Sequence, residues 1–196
     1  MSSRKGKKFG LTALFPIKSA ADAAQLRALL RSFDAHESGS PLSALPIVHM
    51  ARFIVIDHLP YQEFPAQAER LNRQYLLFVC EFDGEDIGTL VGAFHAHAAE
   101  TLVSVWRHCA GFPEGRGPYA IAAYFDACQI DTNLYFVDCP DDSLEDILRA
   151  LAAKRAFTDF VLQVQSDGPS PEALRERFLR AWSDLESRPA PGAGSM

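Results

Sequence analysis

Apolar residues recur along this chain with two different periods, and their succession predicts a mixed α+β domain. Leu11-Thr-Ala-Leu-Phe-Pro-Ile17 reads as a first strand, with an edge or an end near Pro16, which has no amide hydrogen for a ladder. Ser19 then offers an N-cap, with Asp22 three residues on. Leu26, Leu29, Leu30 and Phe33 follow at helical spacing. Asp34 to Pro46, rich in Ser, Gly and Pro, predicts a loop. The segments Val48–Asp57 and Tyr75–Phe82 are near-continuous apolar runs and predict a second and third strand, antiparallel to each other. A connection holding Pro60, Pro65 and the charged pair Glu69-Arg70 separates them.

Downstream, the period changes to that of a helix. Ile87, Leu90, Val91, Phe94, Ala98, Leu102, Val105, Trp106 and Cys109 form one stripe and predict a single long helix, stopped by Gly111 and Pro113. A shorter helix is predicted from Pro118 to Cys128, and a fourth strand at Asn133–Val137. Two further helices follow. One starts near Asp142 or Ser143 and carries Leu144, Ile147, Leu148, Leu151, Phe157 and Phe160. The other opens at Ser170-Pro171 and carries Leu174, Phe178, Trp182 and Leu185. The order strand, helix, strand, strand, helix, strand is that of a ferredoxin-like βαββαβ antiparallel sheet, here with appended C-terminal helices.

Composition sharpens this picture in three respects. The chain has 196 residues, 48% hydrophobic and 22% charged, which suits one globular domain with a full core. Residues 1–9, with Arg4, Lys5, Lys7 and Lys8, read as a disordered basic tail, residues 10–187 as the single domain, and 188–196 as a second disordered tail. A net charge of −6 argues against nucleic acid and anionic membrane as partners. Neither an export signal nor an apolar run long enough for a membrane span is visible, and Cys80, Cys109, Cys128 and Cys139 are too scattered for a zinc or disulfide pattern. A cytoplasmic protein with free thiols is the expectation.

An ordinary half-exposed sheet alternates apolar and polar residues, and the second and third strands do not. Met50, Ile54 and Ile56 share one face and Ala51, Phe53 and Val55 the other, which predicts a sheet shielded on both sides. The second cover would be a second subunit, the appended helices, or a ligand. A few polar residues interrupt these runs and are the candidate site. They are His49 and Arg52 in the second strand, on opposite faces if it is regular, Glu81 in the third, Asn133 and Tyr135 on one face of the fourth, and Thr12 in the first. A buried arginine needs a carboxylate, such as Glu81, or an anionic ligand. His49 suits a backbone partner, acid–base work, or metal or haem ligation. His95, bordering the helical stripe, could face a pocket; His97, two residues on, points elsewhere, so the two do not make a metal pair. No phosphate loop, HExxH or GxSxG occurs.

The element order, with Val48-His-Met-Ala-Arg-Phe-Ile-Val-Ile-Asp57, Leu76-Leu-Phe-Val-Cys-Glu-Phe-Asp-Gly84, Trp106-Arg-His-Cys-Ala-Gly-Phe-Pro113 and Asp131-Thr-Asn-Leu-Tyr-Phe136, resembles a group of bacterial proteins near the dimeric α+β-barrel superfamily. That superfamily includes dye-decolourising peroxidases, chlorite dismutase-like haem proteins and cofactor-free monooxygenases. The resemblance implies a homodimer with a pocket between sheet and helices, and haem as a candidate occupant. The Gly-x-x-Asp-Gly motif of the peroxidases is not matched, since Asp83-Gly84 follows Cys80-Glu81-Phe82. Three readings follow. The first is a small-molecule or haem-binding protein of oxidoreductase type, with His49 and Arg52 as reacting groups, His95 toward the cofactor, and Glu81, Asn133 and Tyr135 toward the substrate. The second is a non-catalytic module forming an obligate homodimer. The third is a cofactor-free enzyme acting on an apolar carbonyl or phenolic substrate.

Overall fold

The computed structural model describes residues 3–34, 40–59, 69–187 and 191–192, and the expectations for residues 60–68 and for most of 188–196 fall outside them. The first strands come earlier than the hydrophobic pattern suggests. Arg4–Lys5 (β1) turns back through Gly6, whose φ of 59° suits a residue without a side chain, into Lys8–Pro16 (β2). The segment anticipated as a solvated tail is therefore paired into the sheet. The helix Ala20–Asp34 (α1) starts behind Ser19, whose Oγ accepts the Asp22 amide at 3.1 Å. A single 3₁₀ turn at Pro41–Ala44 leads to Val48–Leu59 (β3), and Glu69–Asp83 (β4) completes a four-stranded antiparallel sheet in the order β1-β2-β4-β3. Glu69-Arg70, expected in a connection, pairs with Leu59 and His58 at the start of β4.

Register decides which residues share a face. Ala13 lies opposite Phe78, and Phe78 opposite Phe53, so Leu11, Ala13, Phe15, Leu76, Phe78, Cys80, Ala51, Phe53 and Val55 point to one side. The helices Ile87–His97 (α2), Ala99–Trp106 (α3) and Gly117–Ala127 (α4) cover that side together with α1. Trp106 is its fully buried centre. Its ring meets Phe78 at 5.1 Å and 90°, Phe125 at 4.8 Å, and Phe53 and Phe94 at 5.7 Å. Edge-to-face packing of this kind adds about 0.5–1.5 kcal/mol per pair beyond area burial.

The single long helix predicted over Ile87–Cys109 is broken. Ala98, at φ −149° and ψ 41°, leaves the helical region and separates α2 from α3. No proline or glycine marks the break. The apolar stripe is thin there, with only alanine between Phe94 and Leu102 on its inner side, so packing does not hold one straight axis. After the break, Leu102, Val105 and Trp106 return to the core.

The predicted fourth strand at 133–137 does not form. The edge of β2 is already divided between two partners. β1 and Ser3 take its first half, with the Gly10 amide donating to the Ser3 carbonyl at 2.8 Å. Residues 128–130 take the second half, through one antiparallel bridge of Gln129 to Ala13 and bonds Leu14 N to Cys128 O and Ile130 N to Thr12 O. No free backbone remains for 133–137, which runs on as irregular chain with Leu134 and Phe136 exposed.

The last two helices, Leu144–Asp167 (α5) and Pro171–Ser187 (α6), form a hairpin joined at Gly168, which is left-handed at φ 56°. A capping box between Ser143 and Asp146 starts α5. Phe160, Phe178 and Trp182 stack along the seam between the two helices, yet Leu151, Phe157, Leu162, Leu179 and Trp182 stay exposed. Only Leu144 is buried, and neither helix contributes to the main core. The hairpin therefore does not supply the second cover that the strand pattern asks for. Met50 is 50% exposed, Ile54 39%, and Arg52 is exposed, while Thr12, Leu14, Leu77, Val79 and Ile56 on the same face are half-buried, so among the described residues this face is only partly covered. Among the described residues no helix is long and apolar enough to cross a membrane.

Candidate functional site

The open face is polar at one end, where three strand termini meet. Lys8 begins β2, Asp83 ends β4, and the two are direct partners in the register. In β3 a bulge between Val48 and Met50 interrupts the alternation and turns His49 toward the same side. His49 thus joins the face that carries Arg52, instead of opposing it as a regular strand would require. Lys8 is a lysine with only 1% of its side chain exposed. Its Nζ reaches Asp83 Oδ1 at 2.8 Å and His49 Nε2 at 2.6 Å, and donates to the Asp142 carbonyl as well. Asp83 Oδ1 also lies 2.7 Å from His49 Nε2, and its Oδ2 accepts the Leu144 amide at 2.7 Å.

The Lys8 ammonium, both Asp83 carboxylate oxygens and His49 Nε2 all have partners within this cluster. Lys8 donates to the Asp83 carboxylate and the Asp142 carbonyl and lies against the His49 ring, so it is held as a structural anchor. Partial burial acts to raise the Asp83 pKa, but the bonds from Leu144, Lys8 and His49 outweigh it and hold the carboxyl below its ordinary range. The cluster ties β2, β3 and β4 to the start of α5. Gly6 and Lys7 reinforce the tie. The Lys7 amide donates to the Pro140 carbonyl at 2.8 Å, and a side chain at Gly6 would collide with that carbonyl.

Next along the face come Glu81 and Tyr135. Gly10 faces Glu81 across β2 and β4, and a Cβ there would lie 2.7 Å from Tyr135 Cε2, so the ring occupies the space that glycine leaves. The Tyr135 hydroxyl is buried beside Glu81, without a well-formed hydrogen bond among the described residues. Burial first, and then the charge of Glu81, push its pKa up to about 12. Arg52 stands beyond, opposite Val79; it is exposed and makes no ion pair with Glu81 or any other described residue. The expected Arg52–Glu81 pair does not exist.

The remaining predicted residues do not join this group. Asn133 is exposed in irregular chain, without the shared strand face expected of it and Tyr135. His95 is exposed on α2, a helix whose buried residues pack on the opposite, covered face. Among the described residues no cluster of His, Cys, Asp and Glu is arranged to hold a metal ion. His49 Nε2 is engaged by Lys8 and Asp83, and His95 faces solvent. The buried thiols are not nucleophiles. Desolvation raises the Cys109 pKa to about 12, and that of Cys80 further.

Among the concavities that the described residues line, two bear on the sheet. One of about 750 Å³, lined by residues including Lys18, Asp57, His58 and Arg73, contains none of the predicted site residues. The other, of about 340 Å³, runs along β3 and is lined by Leu30, Arg31, Phe33, Ser40, Leu42, Ala51, Arg52 and Phe53. Sequence reasoning missed Lys8, Asp83 and Arg31. The signal for Lys8 was its even-numbered register with Gly10 and Thr12, hidden by three neighbouring basic residues. No family model matches the sequence, and comparison with curated proteins and with solved structures returned no match.

Proposed function

We propose that this chain is a small-molecule-binding homodimer of ferredoxin-like α+β-barrel type, two copies meeting through their open sheet faces. One observation carries the reading. Leu14, Leu77, Val79, Met50, Ile54 and Ile56 form an apolar surface that the described residues leave only partly covered, with Met50 and Ile54 at 50% and 39% exposure. Contiguous apolar surface of this kind marks an interaction or ligand site. A twofold axis over the face would bury it against itself, with Glu81, Tyr135 and Arg52 as the polar groups left for a ligand. The placement of β4 between β2 and β3 supports the ferredoxin-like comparison. The free cysteines suit a reducing, cytoplasmic setting.

Mass measurement by light scattering tests the proposal. The expected value is twice the 21.6 kDa of the chain, falling to one chain in Ile54→Glu. A wild-type monomer at high micromolar concentration would overturn it. The absorption spectrum of the same sample reads the cofactor: a Soret band assigns haem, and its absence makes the ligand an organic molecule bound without haem.

A further inference from the structure

We propose that the cleft along β3 binds an amphipathic carboxylate, with Arg31 and Arg52 holding its charged end and Leu30, Phe33, Leu42 and Phe53 receiving its apolar body. The inference rests on the small-molecule part of the function proposed above and does not depend on the dimer.

β3 is the last strand of the sheet, and no described strand lies beyond it. Side chains from both of its faces can therefore reach the same cleft. Ala51 and Phe53 arrive from the covered side and Arg52 from the open side, while α1 contributes Leu30, Arg31 and Phe33 and the 3₁₀ turn contributes Leu42. At about 340 Å³ the cleft falls within the range of cavities that hold small organic ligands, roughly 300–1,000 Å³. Its floor is apolar and half-buried. Leu30, Phe33, Leu42 and Phe53 pack on the core with their inner sides and leave their outer sides to the cleft.

The charge is one-sided. Arg31 and Arg52 both line the cleft, and neither makes an ion pair among the described residues. Arg27, one turn earlier on the same helix, does have a carboxylate, Asp57 at 2.6 Å. Two guanidinium groups beside an apolar floor match a ligand with a carboxylate at one end, because the planar guanidinium fork pairs with that group through two parallel hydrogen bonds. A neutral or cationic ligand of the same shape would leave both arginines unanswered.

Calorimetric titration of the full chain with octanoate, octan-1-ol and octylamine tests this. Octanoate should bind saturably and at least ten-fold more tightly than octan-1-ol, and octylamine should not compete. Arg52→Gln should weaken octanoate about ten-fold and Arg31→Gln/Arg52→Gln about a hundred-fold, with octan-1-ol unchanged, as loss of one and then two charge-assisted contacts requires. Backbone amide shifts on adding octanoate to the wild type give a reading that needs no variant; they should centre on residues 30–33, 40–42 and 51–53. Absence of saturable binding, equal affinity for octanoate and octan-1-ol, full affinity in the double variant, or shifts centred elsewhere would each overturn the assignment. Light scattering on the same samples reports the dimer separately, so a monomer that binds octanoate refutes the interface and keeps the cleft.

Discussion

The two faces of this sheet are made from the same kinds of residue and have different fates. On the covered side, Phe53, Phe78 and Phe15 meet Trp106 and Phe125 in an aromatic core that excludes water. On the other, Ile54, Leu77 and Leu14 are just as apolar, yet Ile54 is exposed and Leu77 and Leu14 only half-buried among the described residues. The end near Lys8 is closed, by the cluster with His49 and Asp83, by Tyr135 over Gly10, and by the start of α5. Strand composition tells how greasy a face is; it does not tell what covers it.

Substitutions on the two sides should differ most at Trp106. Trp106→Ala should cost about 3–5 kcal/mol in urea unfolding, the range for emptying a large aromatic site. Ile54→Ala, on the open face, should cost under about 1 kcal/mol in a monomer. A loss at Ile54 as large as that at Trp106, and dependent on protein concentration, would show that the open face is buried in the folded species.

The closed end should come second. Asp83→Asn leaves the Lys8 ammonium without its counter-charge and should cost about 3 kcal/mol. The pH dependence has a definite sign. Because the folded pKa of Asp83 lies below its unfolded value, its contribution is present at neutral pH and is lost as pH falls through the unfolded and then the folded value. The stability gap between wild type and Asp83→Asn should therefore narrow toward pH 3 in urea titrations, and a constant gap would refute the ion-pair account.

Smaller effects sharpen the boundary between the closed end and the open face. Gly10→Val should cost about 1–3 kcal/mol by pushing the Tyr135 ring aside. A Tyr135→Ala background should remove most of that cost, as coupling between touching residues requires. Ser143→Ala should cost about 1 kcal/mol of α5 stability, seen as faster amide exchange in its first turn.

Much of the architecture was legible from local pattern. The apolar part of β2, most of β3 and the apolar part of β4, the stop after α3, and the starts of α4 and α5 all follow from period and capping residues. The candidate site was legible only in part. His49, Glu81 and Tyr135 stood out as polar residues in apolar runs and do gather at one end of the sheet, whereas Asn133 and His95 stand elsewhere. Their partner Lys8 was hidden, since a lysine among lysines looks solvated until a strand, a bulge and a helix start converge on it.

What the amino-acid order settles by itself is therefore the choice between strand and helix wherever apolar side chains repeat at two or at three and four, because that choice depends on neighbours a few bonds away. Tertiary structure alone decided that Ala98 breaks a helix, that residues 133–137 find the β2 edge already taken, and that His49 turns onto the face of Arg52. Each depends on which distant backbone or side chain arrives first at a limited set of hydrogen-bonding groups and packing sites, and no local period encodes that competition.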